Sequence, residues 1–429
     1  MTVETAAPSV LRSSDFRFML SGRAVSTAAT AVTWVLLPLY VYDITGSATA
    51  AASMSAMNVV PFLLFGLFAG AYVDRLRPRT VMVVVEVVSA LVLLSVPAVV
   101  LLSEPPFAVF LLIGFLASSA FVWFDVASSA LVPVVAGPEL IFQANGHLWM
   151  AATVVNAIAA PAGFFLLDRI GLAGAFLMIA GAYVLSAILT SFLKAGRTAA
   201  DRGEGEEERE KESGKEGSRV GRSEILEGLR FIRSDRVVGV LTLAGAGVGI
   251  SGGAVYSTIV VFSDLSLDLR TDDIRVGWII AGCSVGALIA SLLTPRLRSL
   301  DPVPVSAVTL AVDVVLLVAY AWSPGWVVAL VLLAGWNTAH TIAMIVSISV
   351  RQQRCPAHLQ GRVNAVGRMA AWGAVPLGGG LCGVLIDLTG QAPVALSIMA
   401  LPSLAAFVFV LSVVFVRRAE SSDPSKDSQ

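Results

Sequence analysis

Charge is scarce in this chain: lysine, arginine, aspartate and glutamate together make up 14% of its 429 residues, well below the roughly 25% of soluble domains. Cysteine is scarcer still, with 3 residues. Cys283 and Cys382 fall within apolar runs and Cys355 in a polar connection, so there is no exported disulfide framework and no metal-ligand spacing; each reads as small apolar filler. A GxxxxGK[ST] loop is missing, which argues against direct use of ATP. No nucleophile–base pair and no His/Cys/Asp/Glu cluster suggests an enzyme, a bound metal or any other cofactor. The net charge of −1 offers no electrostatic footprint for nucleic acid, and no such partner is predicted.

What the chain has in excess is hydrophobicity, at 56% of residues. Apolar runs of about 20 residues, enough to cross a bilayer, recur along nearly its whole length. They lie near 17–42, 48–73, 79–102, 107–135, 141–168, 171–194, 237–263, 274–295, 303–322, 325–350, 361–387 and 392–416. Lipid cannot hydrogen-bond a bare backbone, and these runs are too long and too continuously apolar for barrel strands. The predicted fold is therefore an all-α membrane protein with twelve transmembrane helices. The first run continues to Tyr42 without a small-residue cleavage site and is expected to stay as a helix.

Arginine in short connections sets the expected orientation. One side holds Arg169, Arg270 and Arg275; the other holds Arg75, Arg77, Arg79, Arg296, Arg298, Arg351, Arg354, Arg417 and Arg418. Both termini are expected in the cytoplasm.

A polar run between the sixth and seventh helices, "AGRTAADRGEGEEEREKESGKEGSRVGR", has too few apolar residues to fold and reads as a linker. After it, "SEILEGLRFIRSDR" puts Ile225, Leu229 and Ile232 on one face, suiting a short helix at the membrane surface. The predicted organisation is a six-helix bundle over 1–194, a cytoplasmic linker with its interfacial helix over 195–236, a second six-helix bundle over 237–417, and a cytoplasmic tail over 418–429. The halves echo each other. Asn145, Asp168 and Gly171 recur as Asn364, Asp387 and Gly390 at one common offset, and "DRLR" at 74–77 recurs as "PRLR" at 295–298. Two matched bundles with a site between them is a secondary-transporter architecture.

The connection "GAYVDRLRPRT" at 70–80 contains Asp74, Arg75, Arg77 and Arg79. Positive charge at a cytoplasmic helix end accounts for Arg77 and Arg79 but not for Asp74, since carboxylates contribute little to orientation. Gly70, four residues earlier, lies on the same helical face and admits a close neighbour. A carboxylate delivered there can accept hydrogen bonds from a helix N-terminus, in one conformation and not another. In this stretch the chain resembles the major facilitator superfamily, whose pattern Gly70, Asp74, Arg75 and Arg79 fit. Arg77 stands where the pattern has glycine and Pro78 where it has arginine, so Arg77 or Arg79 is expected to supply the second basic charge. "VYDITGSA", "FDVASSALVP", "QANG" and "QQRCPAHLQGRVNAVGR" are similar to its macrolide-efflux and enterobactin-exporter branch. The resemblance implies the major facilitator fold, a cytoplasmic latch at Gly70, Asp74, Arg75, Arg77 and Arg79, and export. The antiporter signature is partly kept, with Pro161 and Gly163 in "NAIAAPAGFF" but without the flanking glycines.

Arg23, Glu86 and Asp125 sit at similar depth from the cytoplasmic ends of the first, third and fourth helices. An unpaired ion there costs about 2.5–3.5 kcal/mol on insertion scales, which favours pairing. Two readings stand side by side: a permanent structural network, or a proton-coupling site in which movement of Arg23 lets Glu86 or Asp125 take a proton. Asp313, in the ninth helix, ranks below Asp125. Asn58, Asn337 and His340 fall on helices that line the cavity in the resembled family, and Trp34 offers aromatic surface; packing is the alternative for each.

The expected function is a secondary exporter of hydrophobic or amphipathic small molecules, coupled to protons and working as a monomer in the lipid bilayer. An uptake carrier of the same fold is the first alternative, though it would call for more ionic groups in the cavity. A membrane receptor or scaffold is the second, and would call for a larger soluble segment.

Overall fold

The computed structural model describes residues 10–73, 76–100, 106–194, 229–297, 300–356 and 359–421. Asp74 and Arg75 of the expected latch, most of the linker and the end of the tail lie outside the described residues. No strand occurs among the described residues. Helices α1 (Ser14–Thr45), α2 (Ala48–Ala56), α3 (Val60–Val73), α4 (Pro78–Val100), α5 (Phe107–Ala136) and α6 (Ile141–Ser191) make up the first part of the chain. The second part contains α7 (Arg236–Leu267), α8 (Ile274–Leu297), α9 (Pro302–Ala321), α10 (Trp326–Arg354), α11 (Gln360–Thr389), α12 (Ala392–Met399) and α13 (Leu401–Ser421).

Eleven of the described helical stretches are long and apolar enough to cross a membrane. One of them, Gln143–Ser191, is long enough to cross twice. At about 1.5 Å per residue it would otherwise reach more than twice the roughly 30 Å of a hydrocarbon core. The break falls at Gly171, where φ is 66° and ψ 176°. A Cβ there would meet nothing within 4 Å, so the dihedral angle and not crowding asks for glycine. The fifth and sixth expected spans are thus one helical element divided at a single residue, and the total agrees with twelve.

Helix starts follow from local chemistry. Asp235 caps α7, its carboxylate accepting from the N–H groups of Val237 at 2.9 Å and Val238 at 3.0 Å. Asp301 accepts from Val303 N–H at 3.0 Å, with Pro302 at the first turn of α9. Just before α7, residues 229–234 are helical. In this turn Ile232 packs with Val238, Cys355, Leu359 and Val363, while Leu229 is exposed; Ile225 lies outside the described residues.

Contacts divide the chain into two units. The first comprises Met1–Leu37 and Val60–Gly217; the second comprises Pro38–Val59 and Ser218–Gln429. In the first, α4 packs on α5 and α6, and α3 on α5. Its core gathers Phe16, Met19, Met82, Phe124, Leu131 and Leu148. In the second, α7 pairs with α11, α10 lies against α8 and α9, and α2 packs on α11. Burial inside a lipid-embedded bundle brings little transfer free energy, because lipid is as apolar as leucine; close packing and interhelical hydrogen bonds must hold it. The α7–α11 seam supplies the packing. A Cβ at Gly253 would run into the Val375 carbonyl, and one at Gly378 into that of Ile250, so the two backbones touch only because both residues are glycine.

Candidate functional site

Helix α1 brings Arg23, Ser26, Thr30 and Trp34 along its length within the first unit. Arg23 donates through Nη2 to Asp125 Oδ1 at 2.6 Å and through Nη1 to Ser128 Oγ at 2.7 Å. Asp125 and Ser128 are three residues apart on α5 and so share a face. Glu86 of α4 is 2% exposed, and its Oε1 accepts from Ser26 Oγ at 2.6 Å. Its Oε2 has no hydrogen-bond partner among the described residues. The structure thus joins Arg23 directly to Asp125, while Glu86 meets α1 one turn further on, through a hydroxyl and not through the guanidinium.

Beside this network, Trp34 meets Phe121 edge-on with ring centroids 5.6 Å apart, and Phe62 meets the same ring at 6.1 Å. Trp34 is therefore part of an aromatic cluster on α1, α3 and α5. Trp149 is 75% exposed. Of the expected latch, Gly70 lies in α3 and Arg77 is exposed beyond it. Arg79 donates to the carbonyl of Ser191, the last residue of α6. A cation at a helix C-terminus meets carbonyls that have no partner of their own, so Arg79 serves the first unit's packing.

In the second unit, Tyr256 of α7 donates its hydroxyl to Asn337 Oδ1 at 2.5 Å, and Asn337 Nδ2 donates to the Cys283 carbonyl of α8. Asn337 is 4% and His340 7% exposed, so both are packed in the interior of this unit. Trp336 and Tyr256 flank the imidazole, with ring centroids 4.8 and 6.0 Å away. Asn58 lies at the turn between α2 and α3. No group of three or more potential metal ligands occurs among the described residues.

Sequence reasoning passed over one cluster. Asp387, near the end of α11, accepts from the N–H groups of Ala48 at 2.8 Å and Thr49 at 3.0 Å, and from Ser47 Oγ at 2.8 Å. These are the free donors at the start of α2. Nearby, Tyr42 donates to Asp264 at 2.8 Å and Thr271 to Asp43 at 2.6 Å. Together the three ties hold residues 38–59 in the second unit. The internal repeat gave a hint, since Asp387 and Asp168 are equivalent positions, but repetition alone does not say which copy has a helix to cap. Asp168 is exposed, 3.6 Å from Arg169.

Ionic and polar groups, several of them buried, set in helices long and apolar enough to cross a membrane are what a polytopic membrane transporter contains. The chain belongs to the Major Facilitator Superfamily, whose family model matches residues 19–375. Among curated relatives it is similar to the multidrug efflux pump Tap of Mycolicibacterium fortuitum, 28% identical over 93% of this chain and 95% of that protein. The pump of the same name from Mycobacterium tuberculosis (strain ATCC 25618 / H37Rv) is 26% identical over 90% of each. Among solved structures, a bacterial homologue of the iron transporter ferroportin in an inward-facing state has a TM-score of 0.70 at 18% identity, covering 94% of this chain and 99% of that one. The nucleoside transporter NupG has a TM-score of 0.71 at 12% identity, covering 92% of this chain and 98% of that one. At such identities these structures speak for the fold alone. The protein is a multi-pass membrane transporter of small molecules rather than an enzyme.

Proposed function

We propose that the protein is a secondary active exporter of hydrophobic or amphipathic small molecules, driven by inward proton flow through alternating access, with both termini in the cytoplasm. Full-length similarity to multidrug efflux pumps supports the substrate class and the direction. The observation that carries proton coupling is the α1–α4–α5 network: an Arg23–Asp125 pair at 2.6 Å, with buried Glu86 held by one hydroxyl and one of its oxygens unpartnered. A pair of this kind is stable while closed and changes its proton occupancy when Arg23 moves. The aromatic cluster of Trp34, Phe62 and Phe121 is the surface we assign to a flat apolar substrate; Asn58, Asn337 and His340 are polar groups of the transport path on this reading.

Gating follows from the same chemistry at two places. Asp387 clasps the start of α2 and, given the orientation above, does so at the outer side. Asp74, with Gly70, Arg75, Arg77 and Arg79, is assigned to the inner latch on this reading. One carboxylate would hold while the other is released. The whole reading is tested in everted membrane vesicles: ethidium should accumulate on imposing an acid interior and should not when the gradient is collapsed. Accumulation indifferent to the gradient would rule out proton antiport.

A further inference from the structure

A second group of buried ionisable side chains lies in the other unit, away from the Arg23 network in sequence: Asp313, which has had no role so far, and His340. Asp313 of α9 is 0% exposed. Its Oδ1 is 3.4 Å from Nδ1 of His340 on α10. Neither carboxylate oxygen, nor that ring nitrogen, has a hydrogen-bond partner among the described residues. The two groups are at ion-pair distance but not aligned for a hydrogen bond, so a small rotation would make one.

The surroundings offer no other counter-charge. Among the described residues no lysine or arginine is within ion-pair distance of Asp313. Tyr256 of α7 faces Asp313 and His340, Cys283 of α8 lies beside Tyr256, Tyr320 is two turns along α9 from Asp313, and Cys382 on α11 is close to Tyr320. None of these is a cation. Through Phe415, α12 and α13 contain no titratable residue at all. Space for the imidazole comes from Gly252 of α7, where a Cβ would stand 2.6 Å from Cε1.

Charge counting then limits what the pair can hold. With no proton the site has a net charge of −1 and with two it has +1, and either net charge is expensive in a buried, membrane-embedded site. With one proton, whether as Asp–COOH beside neutral imidazole or as carboxylate beside imidazolium, the site is neutral. We propose that Asp313 and His340 form a second proton-binding site that takes up one proton when closed and releases it when hydrated, contributing a proton to the transport cycle. His340, the less buried of the two, is the side through which the proton enters and leaves. This deepens the proton-coupled reading above and rests on it for its part in transport, but proton binding by the pair can be measured without it.

The test has two arms. The Trp336 ring is 4.8 Å from the imidazole, within contact quenching range of an imidazolium. In purified protein, a pH titration of tryptophan fluorescence should show a reversible step that disappears in Trp336→Phe and in His340→Gln, and that changes position in Asp313→Asn. The same step in the parent protein and in His340→Gln and Asp313→Asn would overturn the site. In detergent, both of the latter variants should elute as a single species at the position of the parent protein and melt cooperatively, which checks that they fold; gradient-driven transport is then read in proteoliposomes. Both should lose at least about tenfold in gradient-driven accumulation, equivalent to about 1.4 kcal/mol of coupling. Variants driven as well as the parent protein would overturn the role in coupling. Were the parent itself indifferent to the gradient, the antiport reading would fail, while the fluorescence arm would still decide whether the pair binds a proton.

Discussion

Arg23 and Asp125 form a half-exposed ion pair, with side-chain exposures of 23% and 36%, which decides how its role can be separated from that of a strut. A strut can be replaced by two neutral groups, since deleting both partners leaves no stranded charge. Asp125→Asn alone should abolish the dependence of ethidium transport on a pH gradient in vesicles, while insertion is unchanged. The double variant Arg23→Gln/Asp125→Asn then discriminates: continued loss of gradient dependence is expected for a coupling group, and recovery would identify a structural pair. Glu86 was legible in the sequence as an intramembrane carboxylate at the right depth. Its actual partner was not, because Ser26 is one turn along α1 from Arg23, and depth alone cannot choose between neighbouring turns of one face. Asp313 was legible only as a charge in the ninth helix, and His340 only as a polar residue on a helix expected to line the cavity. Their meeting depends on the rotation of α9 against α10, which apolar periodicity leaves open when both helices are apolar nearly all round.

At the scale of elements, the starts of helices hold the ionic chemistry. Burial alone would raise the Asp235 carboxyl, but hydrogen bonds from Val238 N–H, from the Arg354 guanidinium and from Val237 N–H outweigh it and hold the group below the ordinary carboxylate range. A lowered carboxyl stabilises the fold above its unfolded-state value, and this contribution fades as pH falls through the lowered one. Asp235→Ala should therefore cost about 1 kcal/mol near neutral pH, with the difference from the parent shrinking in acid; a thermal-melt series across pH checks it. Asp387 does the corresponding work for α2. Its removal as Asp387→Asn should weaken the hold on residues 38–59 by about 1–2 kcal/mol, a roughly 5- to 30-fold change in the conformational equilibrium, read as faster alkylation of a cysteine introduced at Thr49. In the α7–α11 seam, Gly253→Val should destabilise by about 1–3 kcal/mol through overpacking against the Val375 carbonyl, seen as a lower melting temperature in detergent.

For the whole molecule, the number of spans and their helical nature could be read from the apolar runs, because each depends on local composition. Which parts of the chain share a unit could not. Residues 38–59 are contiguous with the first half, yet their contacts place them in the second unit, held there by Asp387, Asp264 and Thr271, residues distant in the chain. The proposed cycle requires those ties to break in one state and the Asp74 latch to form. Asp74→Asn should thus impair transport by about tenfold or more while membrane insertion is intact, since insertion follows from the apolar runs and arginines. Efflux equal to that of the parent would remove the latch from the cycle.

The single-residue break at Gly171 has a practical consequence. Two successive crossings joined without a loop leave almost nothing standing proud of the bilayer at that place. Whichever side it faces, this corner gives a protease no extended strand to thread, and an inserted tag there would have to unwind helix on both sides before it could be displayed.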